Sequence, residues 1–404
     1  MLFTDATAVT LESCYDAGDS VSVTESVSSV EHQRASADRS EEDDVPLCNT
    51  ARNGHSELIA LLRTLNAEDR WKTVVERSKN GDTPLHDATK NGQPEIITAI
   101  LELLTKEQRR KAAFEKIKSG NTPLHYAARH GHNAAIAALL ESLSTEEQFK
   151  ATVERSGIDF TPLHYAAKYG HSIIINTLLG TLTGEERWKA VVDKSLNDDT
   201  PLHYAARNGH SATITALLKQ LTKEKQQDAV TMKNRYDSTP LQYAAKYGHS
   251  TSITALLELL SAEDRWKAVI GGSKNTDTPL HNAASNGNPR IITALLELLS
   301  PKKRRQAVAE KNRDGSTPLD HAARNRHSSA LIALLEPFST RERLKCFNKW
   351  NDTTLPLFQY IMLDRHITDV FPQFDSKLLS IRNNKGERTN SEQYKDEWRS
   401  GFML

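Results

Sequence analysis

Apolar positions along this chain alternate between two textures. A short alanine-rich stretch such as Leu202-His203-Tyr204-Ala205-Ala206 is followed, across Gly209, by Ile214, Leu217, Leu218 and Leu221 at helical spacing. The pair of textures returns every 39 residues. It is marked by Thr-Pro-Leu-His at Thr83, Thr122, Thr161, Thr200 and Thr278, by Thr-Pro-Leu-Gln at Thr239 and by Thr-Pro-Leu-Asp at Thr317. Worn copies stand at Val45-Pro46-Leu47-Cys48 and Leu355-Pro356-Leu357-Phe358. A fixed period of this length means one supersecondary unit that buries its apolar face against copies of itself.

Within the unit, Thr200 suits a helix N-cap and Pro201 the first helical position, where a missing N–H costs nothing. Ala205 and Ala206 let a neighbouring helix approach closely. Gly209 stands where the first helix must end in a left-handed residue. After the second, apolar helix comes a charged stretch such as Thr183 to Val192. Ser144 with Glu147 and Thr183 with Glu186 have the spacing of a capping box. Trp71, Phe149, Trp188 and Trp266 share one register there. The pattern predicts a third short helix in most units, its aromatic packed on the outer side of the stack.

These residues resemble the ankyrin repeat, whose signature contains Thr-Pro-Leu-His-x-Ala-Ala-x-x-Gly-His, over roughly residues 45–340. Ankyrin units usually run to about 33 residues, so the third helix is an addition. The resemblance implies an all-α solenoid with units starting near 45, 83, 122, 161, 200, 239, 278 and 317, the repeats occupying 45–354. It also implies that His86, His125, His164, His203 and His281 bond the motif threonine and adjoining backbone. The histidines after the glycine (His55, His132, His171, His210, His249 and His327) would then satisfy turn backbone. Arg326 replaces the helix-ending glycine, so the last full repeat is expected to be strained or differently terminated.

Charge and chemistry narrow the rest. Lys plus Arg and Asp plus Glu number 52 each, so no global field favours nucleic acid or an anionic membrane. No run reaches the ~20 apolar residues of a membrane span, and the start has no signal-peptide pattern. Cys14, Cys48 and Cys346 are few and unpatterned, as suits cytoplasmic folding in a reducing compartment. Histidines that recur with the period are architecture rather than a metal site, which is built once from converging ligands. No phosphate loop, nucleophile elbow or paired-cysteine motif is present. The expectation is a monomer with no cofactor, no metal and no catalytic residues. Residues 1–44, acidic and rich in Ser, read as a disordered tail; 355–381 read as a degenerate cap and 382–404 as a polar tail.

Proteins of this family bind partners through the turn tips between units and the exposed face of the first helix. On this sequence that points to the two positions after Ala-Ala: Arg129 with His130, Lys168 with Tyr169, Arg207 with Asn208, and Lys246 with Tyr247. Among the tips, Tyr236 and above all Phe160 stand out, an aromatic in an otherwise polar turn. A protein-interaction scaffold is the leading reading. Two others remain open. Long uniform repeats with polar tails are similar to ankyrin effectors that intracellular bacteria deliver to a host protein. An adaptor would instead recruit other machinery through the C-terminal segment.

Overall fold

The computed structural model describes residues 56–271 and 277–339. The expectations for residues 1–44, for the three cysteines, for the cap at 355–381 and for the tail at 382–404 lie outside the described residues. Among those described, the chain forms 22 helices and no strand, an all-α repeat solenoid. A complete unit has three helices, as in Pro201–Arg207, Ser211–Lys219 and Lys223–Thr231. Each packs on the matching helix of the next unit, first on first, second on second and third on third. The third helix predicted for most units is present from Ala67–Val75 to Pro301–Ala309.

The core is one continuous seam. Leu202, Ala205, Ala206, Ile214, Leu217 and Leu218 are fully buried, as are their counterparts 39 residues away. The third helix adds Ala229 and Val230 to the seam, and Trp71, Phe149, Trp188 and Trp266 lie half-buried against it. Arg or Gln at its fourth position reaches back to the end of the second helix. Arg187 Nε donates to the Leu179 carbonyl at 2.9 Å, Gln226 Nε2 to Leu218 at 2.9 Å and Arg265 Nε to Leu257 at 2.9 Å. The added helix therefore caps carbonyls that the second helix leaves without partners.

Units are tied together by two histidines. The Thr200 N–H donates to His203 Nδ1 at 3.2 Å, and Thr200 Oγ1 lies 2.8 Å from the same nitrogen. The imidazole thus takes the place of Glu or Gln in a capping box. Its other nitrogen, Nε2, faces the carbonyl of Ser238 in the next unit at 3.0 Å. The same forward bond joins His125 to Phe160, His164 to Asp199 and His281 to Ser316. Because Nδ1 accepts the threonine N–H and Nε2 donates to a carbonyl, the ring is neutral with its proton on Nε2. An aromatic ring of the next unit closes over it edge-on, Tyr126 on His86 and Tyr243 on His203.

The second histidine points the other way. His210 Nε2 meets the Lys168 carbonyl at 3.1 Å and His249 the Arg207 carbonyl at 3.0 Å. The ring passes over the previous unit's glycine so closely that a Cβ on Gly170 would lie 2.7 Å from His210 Nδ1. Gly170 also has φ of +83°. Glycine is required there twice over, by backbone conformation and by the neighbour's ring. Arg326, at the same place in the last unit, is held at φ +62°, the strain expected from the sequence.

Burial pushes the motif imidazoles down, His86, His125 and His203 to about 4 and His164 to about 3. The unfolded chain takes up protons on these rings below about pH 6.5 and the folded chain does not. Stability present above pH 6.5 is therefore lost as pH falls toward 4, on the order of 3 kcal/mol for each ring that titrates only in the unfolded state. Urea melts at pH 7, 6 and 5 are expected to show midpoints falling steeply with acid. A chain carrying Gln at 86, 125, 164 and 203 should show a much flatter dependence. At pH 7, His203→Leu should cost about 2–6 kcal/mol, because it strands the Thr200 N–H and the Ser238 carbonyl.

Candidate protein-binding face

The two positions after Ala-Ala lie at the C-terminal ends of successive first helices, Pro123–His130, Pro162–Tyr169, Pro201–Arg207 and Pro240–Tyr247. Their backbones are fixed from outside, since the backward histidines grip the carbonyls of Lys90, Arg129, Lys168 and Arg207. The side chains then meet across units. The Arg129 guanidinium sits 5.7 Å from the centre of the Tyr169 ring, which Lys168 approaches at 5.8 Å from its own helix. Two units on, Arg207 lies 5.3 Å and Lys246 5.8 Å from Tyr247. Tyr169 and Tyr247, exposed and each flanked by two cations, are therefore held in place. Cation–π contacts of this kind are worth about 0.5–1 kcal/mol when exposed.

On the third helices Lys72, Lys111 and Lys150 each pair with a Glu one turn earlier, at 2.8, 3.7 and 2.6 Å. Among the described residues no ion pair involves Lys90, Arg129, Arg207 or Lys246. The imidazole of His130 is shifted below its ordinary value, first by burial and then by Arg129, His132, Lys90 and His171. The row is thus a line of like charges along the first helices.

The remaining residues singled out from sequence divide. Tyr236 is 61% exposed at the tip of its turn. Asn208 is exposed, but its amide donates to the Tyr204 carbonyl at 2.9 Å and closes its own helix. Phe160 is a correction. It is only 7% exposed, with its ring centre 4.8 Å from Tyr204, 5.3 Å from Tyr165 and 5.5 Å from His164. The residue before the motif threonine faces inward in other units too, where Asp82 accepts from Tyr126 and Asp199 from Asn234. In Phe160 an aromatic cluster replaces that polar link, which is a structural reason for the side chain. The tips instead expose two apolar residues that the sequence reading passed over, Ile158 at 44% and Leu196 at 52%. Both occupy turns whose neighbours carry Lys79, Asn80, Lys118 and Ser119 there, and that contrast was the available signal.

Among the described residues no three His, Cys, Asp or Glu side chains gather to hold a metal ion, and the motif histidines are committed at both nitrogens. The groove between third helices, lined by Arg110, Phe114, Lys150 and Val153, is open, and Lys150 there is paired with Glu146. No described helix is long and apolar enough to cross a membrane.

Comparison with known families also finds a repeat array. The family described as ankyrin repeats in three copies matches residues 100–186, 182–265 and 260–342, and the single ankyrin repeat matches residues 80–104. The chain belongs to the ankyrin-repeat family. No curated protein matches it. The third helix lies outside the family's usual unit.

The two tip aromatics should part company under substitution. Phe160→Ala is expected to cost about 3–5 kcal/mol in a denaturant melt, and Tyr236→Ala to stay within about 0.5 kcal/mol.

Proposed function

We propose that this protein is a non-enzymatic scaffold whose ankyrin repeats hold a partner protein against the row of first-helix cations and the turn tips. The observation that carries this is the row of cations set against exposed tyrosines, with Arg129 and Lys168 on Tyr169 and Arg207 and Lys246 on Tyr247. Tyr and Arg are the side chains most often found to dominate protein interfaces. Their backbone is already fixed by the neighbouring unit, so a partner orders little when it binds. Exposed apolar tips beside the row supply area that excludes water. The family, the committed histidines and the open surface all favour binding over catalysis.

Partner recognition should therefore fall on this face and depend on salt. For a partner isolated on the full-length protein, Arg129→Glu, Arg207→Glu and Lys246→Glu together should weaken binding at least tenfold. The melting temperature should move by no more than a few degrees. Retained affinity in that triple variant would place the binding surface elsewhere.

A further inference from the structure

The row and the tips form two parallel stripes that advance one unit at a time. Lys90, Arg129, Lys168, Arg207 and Lys246 make the positive stripe, and Ile158, Leu196 and Tyr236 the apolar one. The two run close together, since Lys168 lies 5.6 Å from the ring of Phe160, two residues after Ile158 in the same turn. Packed helices stand about 8–10 Å apart. A polypeptide in the polyproline II form has three residues per turn and advances about 9.3 Å in that turn. Such a chain would offer one side-chain position to each ankyrin unit.

The same period occurs in this chain's own N-terminal segment. Positions 16, 19, 22, 25, 28 and 31 are Asp, Asp, Ser, Glu, Ser and Glu. The positions just before them, 15, 18, 21, 24, 27 and 30, are Tyr, Gly, Val, Thr, Val and Val. The third set, at 17, 20, 23, 26 and 29, is Ala, Ser, Val, Ser and Ser. At three residues per turn this becomes an acidic stripe beside a largely apolar one, with mostly small polar side chains on the remaining side. Residues 1–33 contain no Lys or Arg, and residues 1–44 carry 11 acidic and 2 basic side chains. We propose that residues 15–31 dock along the cation row and the apolar tips, one three-residue step per repeat, and so occupy the partner face in cis.

The tether permits this. Between the segment and the first repeat, which starts near residue 45, lie residues 32–44, enough to span up to about 45 Å when extended. A ligand carried on a short linker of the same chain has an effective concentration in the millimolar range, so weak contacts suffice. An outside partner then has to displace the segment, and the protein's apparent affinity for that partner is set by the contest.

This inference rests on the face being a polypeptide-binding surface, and its test is separate from the test of that reading. The probe is a fluorescein-labelled peptide of residues 12–33, titrated at low salt and followed by anisotropy. One receptor is the native full-length chain. The other is the full-length chain carrying Asp16→Lys, Asp19→Lys, Glu25→Lys and Glu31→Lys. With its own segment disabled, the variant is expected to bind the peptide at least tenfold more tightly than the native chain. Adding Arg129→Glu and Arg207→Glu to it should bring binding back to background. A peptide of the same composition, with its acidic residues moved off the three-residue step, should bind at least fivefold more weakly. Equal affinity of the two receptors overturns docking in cis, and so does equal affinity for the rearranged peptide. Self-association of the native chain as its concentration rises would assign the segment to a second copy and also overturn it. If these titrations fail while the row substitutions still abolish outside binding, the scaffold stands and only the self-docking falls.

Discussion

A buried, neutral imidazole with both nitrogens engaged is the constraint on which this solenoid depends. Nδ1 accepts from the threonine that begins its own helix, and Nε2 donates to a carbonyl 35 residues ahead. One side chain therefore caps a helix and sets the distance to the next unit. The exceptions follow the same logic. Gln242 replaces histidine with an amide that still has an acceptor for Thr239 and a donor for the Asp277 carbonyl, at 2.7 and 2.5 Å. Asp320, in the last described unit, keeps only the acceptor and caps Thr317 at 2.7 Å. A carboxylate has no proton to send forward.

The backward histidine connects this framework to the cation row. It clamps the carbonyls of the residues whose side chains form the cation row, so the row inherits the spacing of the stack. The third helix does complementary work on the opposite side. It caps the second helix through Arg187, Gln226 and Arg265, and Lys225 and Lys303 lie 5.5 Å over Trp188 and Trp266 of the preceding unit. Some of its charges are paired between units, as Lys303 is with Glu263. A chain with balanced charge overall thus carries a row of cations along its first helices.

Much of this was legible in the residues. Period, helix caps, left-handed glycines and the extra helix all depend on local chemistry that a single unit displays, as at Thr200-Pro201 and Gly209. The cation row was legible for the same reason, because every unit repeats the position. Phe160 was misread because its partners, Tyr204 and Tyr165, come from neighbouring motifs that one turn does not contain. Ile158 and Leu196 were missed because exposure depends on which way a turn residue faces. The backward histidines were assigned to turn backbone, but their reach across 42 residues to the previous helix was not apparent from their own turn.

The most direct test is the proton on the motif imidazoles. Nitrogen-15 and carbon-13 chemical shifts of the histidine rings, followed from pH 8 to pH 5 in the folded protein, report tautomer and titration together. The account predicts that His86, His125, His164 and His203 carry their proton on Nε2 throughout and do not titrate in that range. Rings that exchange tautomers, or that protonate near pH 6.5 while the chain stays folded, would contradict it.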